Sequence, residues 1–424
     1  MRILFCCQFY APSIGGVQEV IRQIAERLVE RGHELTVATT RLPMREFNLL
    51  NGVAIQEFDV AGNIVSGMTG EVSAYQKYVS EGDFDVVMIY AAQQWTFDAL
   101  WSVLDSCSSA KVFVPCGFSG LYEPGYAEYF QKLPSILHKF DHLIFNATKY
   151  RDIDYAKEHG IQKFSVFPNG ASELEFNSTC DSTFRSRHAI PKDSFLYLTV
   201  GSFTGLKGHL ELVTAFAKME LGEGQHATLI LNGNEVQRLE RNVVGILNKI
   251  RGLVKTHGLF NALRQILNKV NGASSSPKSI AESINRSQSN KRVLVSDFGR
   301  AELTQAFMTA DLFVFASNIE YCPLVLFETA AAGTPFLSVS VGNSVEIAQW
   351  TGAGLICPST VDAKGYTLVD TSILAQEMAG LIPQKEMLAK LGATGRENWR
   401  NHFTWDKVTD RFEQLFLRLK DEKA

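Results

Sequence analysis

No window of this sequence approaches the roughly 18 consecutive apolar residues that a membrane-spanning helix requires. The opening run, "MRILFCCQFYAPSIGG", is broken by Gln8 and Pro12 too early to make a good signal peptide. Cysteine is sparse and odd in number: there are seven, Cys6 and Cys7 are neighbours in an apolar run, and no pair has the spacing of a metal site. That excludes a disulfide framework and points to reduced thiols in a cytoplasmic protein. An excess of positive charge is also missing. The net charge of −4 gives the chain as a whole no footprint for a nucleic-acid partner.

What is present is a soluble, globular composition, 46% hydrophobic and 20% charged. A chain of 424 residues exceeds what one core usually serves, so two domains are expected. The first half opens with a strand ("RILFCCQFY"), a loop ("APSIGG"), a helix with apolar residues at Val17, Val20, Ile21, Ile24 and Leu28, and a second strand ("HELTVATT"). That is a βαβ unit of a parallel sheet. Further strands follow at 85–92, 110–116, 142–148 and 163–169. Asp83 and Asp85 precede the first of these and are taken as strand-start residues.

After a polar stretch, the βα rhythm restarts at "FLYLTVGSF". The pattern predicts an α/β protein of two doubly wound, Rossmann-like domains facing across a cleft. The first covers residues 1–176, a linker 177–194, and the second 195–405. The second carries a helical insert at 236–292, and a final helix, 406–424, could pack on either half.

The insert has its own character. Residues 236–292 hold eleven Lys or Arg against two Glu, and this balance of +9 leaves about −13 for the rest of the chain. Val243, Ile246, Leu247, Ile250 and Val254 form one helical apolar stripe, and Leu259, Leu263, Ile266, Leu267 and Val270 another. A Ser-rich run follows. Apolar stripes with many cations suit peripheral contact with an anionic membrane face; they suit equally two helices packed on the second domain with their charges outward, or a Ser-rich part that is disordered and inert.

Three stretches can carry chemistry. Gly15-Gly16 lies between a strand and a helix start, where backbone N–H groups and the helix dipole can meet an anion. The third glycine and the acidic residue of a dinucleotide fingerprint are lacking, so the pair also suits a plain tight turn. "VGSFTGLKGHLE" repeats the arrangement: a strand ends at Gly201, and Lys207-Gly208 opens a helix. A lysine there can reach a phosphate at the helix start, though this is no P-loop and a solvated lysine is the plainer alternative. The third stretch, "IEYCPLVLFETAAAGTP", places Glu320 in the loop at a strand's carboxyl end and Glu328 about a turn into the next helix. Carboxylates in so apolar a run need partners. Vicinal sugar hydroxyls would supply them, one ring to each glutamate, with the N–H groups of Leu324 and Val325 facing a phosphate between. Two ordinary surface glutamates are the plainer alternative.

With these stretches in view the sequence resembles the retaining glycosyltransferases of family 4, which have the GT-B architecture. The resemblance runs through "GGVQEVIRQIAERLVERGHELTV", "FPNGASELEF", "VGSFTGLKGHLELVTAF" and "ADLFVFASNIEYCPLVLFETAAAGTPFLS", and its most specific element is the Glu-x7-Glu spacing with the "AAGTP" tail. It implies a nucleotide-sugar donor, a glycan or lipid-linked acceptor, a role in surface polysaccharide synthesis and no metal cofactor. By it, Gly16 approaches the donor phosphate, Lys207 neutralises the diphosphate, Glu320 meets the transferred sugar and Glu328 the ribose hydroxyls. Lys207 and Glu320 are then the catalytic pair. Two positions depart from the pattern. Ser202 stands where the family often has Arg, so Arg300, another base or Ser202 itself would have to serve the phosphate. Cys116 stands where many members carry His. Other readings of the same pocket are a nucleotide-sugar-binding partner without turnover, or a GT-B epimerase.

Overall fold

The computed structural model describes residues 1–234, 276–363 and 365–423. The first domain is built on an eight-stranded sheet. Its strands are β1 (Arg2–Cys6), β2 (Glu34–Thr40), β3 (Leu49–Leu50), β4 (Val53–Phe58), β7 (Val86–Tyr90), β8 (Ala110–Val114), β9 (His142–Phe145) and β10 (Phe164–Val166). They lie in the order β10-β9-β8-β7-β1-β2-β4-β3, all parallel except the edge pair β3–β4. A small hairpin, β5 (Val60–Asn63) with β6 (Gly67–Gly70), stands apart from the sheet. The second domain has six parallel strands: β11 (Phe195–Val200), β12 (Ala227–Asn232), β13 (Lys291–Ser296), β14 (Leu312–Phe315), β15 (Phe336–Val339) and β16 (Gly354–Cys357). Their order is β13-β12-β11-β14-β15-β16.

Both sheets are doubly wound, and each reverses direction once. The switch lies between β1 and β7 in the first sheet and between β11 and β14 in the second. Open α/β sheets bind ligands in the crevice that such a reversal leaves at the strands' carboxyl ends. The loops after β1 and β7 thus face the loops after β11 and β14, which hold the chemistry-bearing stretches of the sequence.

The helix α1 (Gly16–Glu30) forms because Val20, Ile21, Ile24 and Leu28 recur at helical spacing and are buried against the sheet. On its other face Arg22 pairs with Glu19 and Glu26 at 2.8 Å each. The last helix, α15 (Trp405–Lys423), goes back to the first domain. Trp405, Val408, Phe412, Phe416 and Leu419 join the core of β1, β2 and α1, where the Phe416 ring meets Phe5 at 6.1 Å. Arg31 binds Asp406, Asp410 and Glu413 of that helix at 2.5–2.9 Å. The helix before it, α14 (Lys385–His402), stays on the second domain, with Trp399 fully buried there.

Two expectations are corrected. Residues 177–194 are not a free linker: Phe184, in the short helix α7 (Phe184–Arg187), is buried in the second domain's core, and Arg185 binds Asp311 at 2.8 Å. Part of the 236–292 insert belongs to the second domain's frame. Pro277–Ser287 forms helix α9, which buries Ala281 and Ile284 and leads directly into β13. Its start is a Ser-Pro signal: the Ser276 side chain accepts from the Ser279 N–H at 3.1 Å, and Pro277 takes the first helical position. The two apolar stripes at 243–254 and 259–270 lie outside the described residues.

Candidate active site

A cleft of about 540 Å³ runs between the two switch points. It is lined from the first domain by Gly15, Gly16, Glu19, Arg22, Cys116, Asn146 and Asn169, and from the second by Ser202, Lys207, Arg300, Glu320, Tyr321, Leu324, Val325 and Glu328. Nearly all the residues singled out in the sequence therefore meet in one place.

Two helix starts converge there. The N–H groups of Gly16, Val17 and Gln18 open α1, and those of Leu324 and Val325 open helix α11 (Leu324–Ala332). They donate to none of the described residues. A methyl group built on Gly16 would touch Leu324 Cδ1 at 4.0 Å, which measures how closely the two starts approach. Free amides and the positive ends of two helix dipoles make the gap between them an anion site.

Lys207 reaches the same gap. Its ammonium binds Glu320 Oε1 at 2.5 Å, and the Ser317 hydroxyl donates to that oxygen at 3.1 Å. The ammonium retains two further N–H donors. The turn that delivers it depends on Gly208, which has φ of +71° and whose Cβ, if present, would lie 2.0 Å from the Ala316 carbonyl oxygen. Gly208 thus opens helix α8 (His209–Lys218) and lets it touch the loop that carries Glu320. Ser202 sits in the loop above.

Glu328 lies one turn into α11 with 9% of its surface exposed. Burial pushes its carboxyl up, and Arg300 at 2.6 Å pulls it back. Arg300 opens helix α10 (Arg300–Thr309). Burial works against its charge as well, but Glu328 and Glu175 outweigh that, and its guanidinium is held firmly protonated. It binds Glu175 through two parallel bonds of 2.8 and 2.5 Å. Arg300 therefore stands at the site, as the sequence suggested, but its fork is committed to two carboxylates.

Glu175 was not legible in the sequence. It sits in a four-residue helix, α6 (Glu173–Phe176), whose other acid, Glu173, binds Arg27 of α1 at 2.5 Å. One short turn thus holds both domains, with Glu173 on the first and Glu175 on the second. A Glu-x-Glu in "NGASELEF" was the available signal.

Cys116 faces the cleft with φ of +61°, and burial pushes its thiol up to about 12. It is a neutral thiol at physiological pH, not a thiolate nucleophile. Ala91, Gln93 and Phe118 share its left-handed backbone, at the carboxyl ends of β7 and β8. Such clusters of strained backbone gather at functional sites.

Comparison with known proteins agrees with this geometry. Residues 14–172 match the model of Glycosyltransferase Family 4, and residues 269–370 that of Glycosyl transferases group 1. The chain belongs to glycosyltransferase family 4. It is 20% identical over 420 residues to an N-acetyl-alpha-D-glucosaminyl L-malate synthase of Bacillus anthracis, covering 97% of this chain and 96% of that one. Among solved structures, sucrose-phosphate synthase from Thermosynechococcus elongatus superposes with a TM-score of 0.69 at 17% identity, over 99% and 98% of the two chains. Anabaena Alr3699/HepE in complex with UDP and glucose superposes with a TM-score of 0.65 at 14% identity, over 99% and 100%. The fold is GT-B, and the protein is a glycosyltransferase enzyme.

Proposed function

We propose that this glycosyltransferase moves a sugar from a nucleoside-diphosphate sugar to a hydroxyl of a glycan or lipid-linked saccharide, with retention at the anomeric carbon, in surface polysaccharide synthesis. One observation carries the reading: Lys207 with Glu320, and Glu328 with Arg300, flank the gap where two helix starts present unpaired amides. A diphosphate fits that gap, with a sugar on the Glu320 side and a ribose on the Glu328 side. The likeness to a structure holding UDP and glucose is in keeping with it.

As the diphosphate leaves, its charge grows, and Lys207 and the helix starts are already in place to meet it. Ser202 in the loop above offers a neutral hydroxyl where many relatives place a cation. Glu320 holds the transferred sugar, and the departing phosphate takes the acceptor's proton. Among the described residues no three His, Cys, Asp or Glu gather as metal ligands would. We take the reaction to need no metal, so transfer should persist in excess chelator.

The acceptor enters from the first domain's side, past Cys116 and the strained turns at 91–93. Peripheral membrane contact through 236–292 is part of the proposal on composition alone. Among the described residues no helix is long and apolar enough to cross a membrane. Salt-sensitive cosedimentation with anionic vesicles, lost when Arg238, Arg241, Lys249, Arg251 and Lys255 are neutralised, would support it.

The decisive experiment is a thermal-shift screen of nucleoside-diphosphate sugars, followed by transfer assays with the best donor. Glu320→Ala should keep nucleoside-diphosphate binding and lose transfer. A chain that no nucleotide stabilises, or a Glu320→Ala variant with full transfer, would overturn the reading.

A further inference from the structure

The loop that carries Glu320 is fastened to the opposite domain at three consecutive residues. The Tyr150 hydroxyl donates to the Glu320 carbonyl at 2.8 Å. The Asn146 N–H donates to the Tyr321 hydroxyl oxygen at 3.0 Å. The Asn169 amide donates to the Cys322 carbonyl at 3.0 Å. Tyr150, Asn146 and Asn169 all belong to the first domain, at or beyond the carboxyl ends of β9 and β10. Glu320 itself points back into the second domain, to Lys207 and Ser317.

Tyr321 is the residue that enters deepest. Its ring crosses the cleft and packs on Tyr150 with centroids 4.8 Å apart. Gly117 lies under it with φ of +92°, and a Cβ there would sit 3.2 Å from the Tyr321 ring. The tyrosine oxygen accepts from Asn146, and the carboxyl of Asp152 lies close enough to act on its hydroxyl electrostatically. Asp152 is fully buried in the first domain and is fixed in turn by the N–H groups of Gly117 at 2.8 Å and Ile153 at 2.9 Å. A buried carboxyl with only amide partners on its own side is costly, and the polar tyrosine hydroxyl close by eases its burial. When the domains separate, Asp152 loses that neighbour and Tyr321 loses the Asn146 N–H.

We propose that Tyr321 is a positioning residue that ties closure of the two domains to the placement of Glu320. Its ring and hydroxyl are bound by the first domain, while the side chain one residue earlier is delivered to the cleft. Closure then fixes both ends of a single peptide: Tyr321 in its socket and Glu320 beside Lys207. The ribose side of the cleft, with Glu328 and Arg300, is on the second domain and α6 and does not touch the socket. The proposal rests on the reading of Glu320 as the carboxylate at the transferred sugar.

Tyr321→Phe keeps the ring and removes only the hydroxyl; Asp152→Asn keeps the shape of the socket. Small-angle X-ray scattering of the full chain, without ligand, should give a larger radius of gyration for each variant than for the wild type. The double variant should be no larger than the singles, because both act on one socket. With the donor chosen by the thermal-shift screen, each variant should lose kcat by about tenfold, the worth of one hydrogen bond, while the nucleoside-diphosphate Kd, which also draws on the second domain's own side chains, should rise by clearly less than kcat falls. A tyrosine that serves packing alone would leave kcat unchanged in Tyr321→Phe, and that result overturns the proposal. So do unchanged scattering in both variants, or effects that add in the double variant. If the screen selects no donor, the functional reading fails, and the scattering comparison alone decides whether the latch exists.

Discussion

The second domain brings side-chain charge to the cleft, in Lys207, Arg300, Glu320 and Glu328, each at the start of a helix or at the end of a strand. The first domain brings one charged pair, Glu19 with Arg22, and otherwise mostly backbone: free amides at the start of α1, left-handed turns after β7 and β8, and the hydrogen-bonding socket around Tyr321. The same architecture is thus used in two ways. One half presents charged side chains to the cleft. The other half shapes the space and fixes the loop that the first half offers. A charge can be moved by substitution at one position, whereas a backbone amide cannot be removed without changing the fold. Variants should therefore act on the two halves in different ways.

The largest effect is expected where the chain crosses back. Helix α15 follows the second domain in sequence but packs on the first, and Phe416 is fully buried there. Phe416→Ala should cost about 3–5 kcal/mol of stability. Hydrogen exchange should locate the loss in β1, β2 and α1, with β11 and β12 nearly untouched. Equal loss of protection in both sheets would show that the domains unfold as one unit and would erase the distinction between the halves.

Next comes Lys207→Ala. On the proposed reaction the ammonium meets charge that grows only as the diphosphate departs, so turnover should fall on the order of a hundredfold, with the donor KM moving much less. Steady-state kinetics on the selected donor gives both quantities. A variant with wild-type turnover would place Lys207 outside the chemistry, and the second domain would keep only a binding role.

Glu328→Ala is expected to have a smaller effect and on a different quantity. On the proposed reading, losing the hydrogen bonds that the ribose hydroxyls donate to a charged carboxylate should weaken nucleoside-diphosphate binding by about 1–3 kcal/mol. Calorimetry on wild type and variant reads it directly. Unchanged affinity would move the ribose elsewhere.

How much of this was legible in the sequence follows the same division. Lys207, Gly208, Glu320 and Glu328 were found because packing alone seldom calls for a charge beside a glycine turn, or for two acids around an apolar run. The parallel sheets and their doubly wound order were legible from strand and helix periods. What was missed was carried by weak or non-local signals. Helix α9 was hidden in a Ser-rich run, although "SSPKSIAESI" holds a cap, a proline and an apolar stripe. Strand β16, "GLIC", is too short to show a period. The home of α15 could not be read from its own amphipathic face, since either sheet could have received it. Tyr321 and Asp152 lie 169 positions apart, and nothing local in either says that they meet.

Glu175 offers the finest test of the comparison, because Arg300 is where sequence and structure assign different roles. From the sequence, Arg300 was a candidate for the cation that Ser202 does not supply, and so a phosphate ligand. In the structure its fork is closed on Glu175, and one nitrogen is shared with Glu328. That makes it a brace for Glu328. Glu175→Gln removes one charge and leaves an oxygen that can still accept. If Arg300 is a brace, the pair with Glu328 persists and nucleotide binding should weaken by less than about 1 kcal/mol, as expected for a partly exposed ion pair. The change should be nearly the same at low and high salt, because no new contact with the diphosphate is made. If Arg300 is instead a phosphate ligand restrained by Glu175, releasing it adds a free positive charge to the cleft. Binding would then tighten, and the gain would fade as salt screens it. Titration of the nucleoside diphosphate at two ionic strengths separates the two by sign, so even a small effect decides the role.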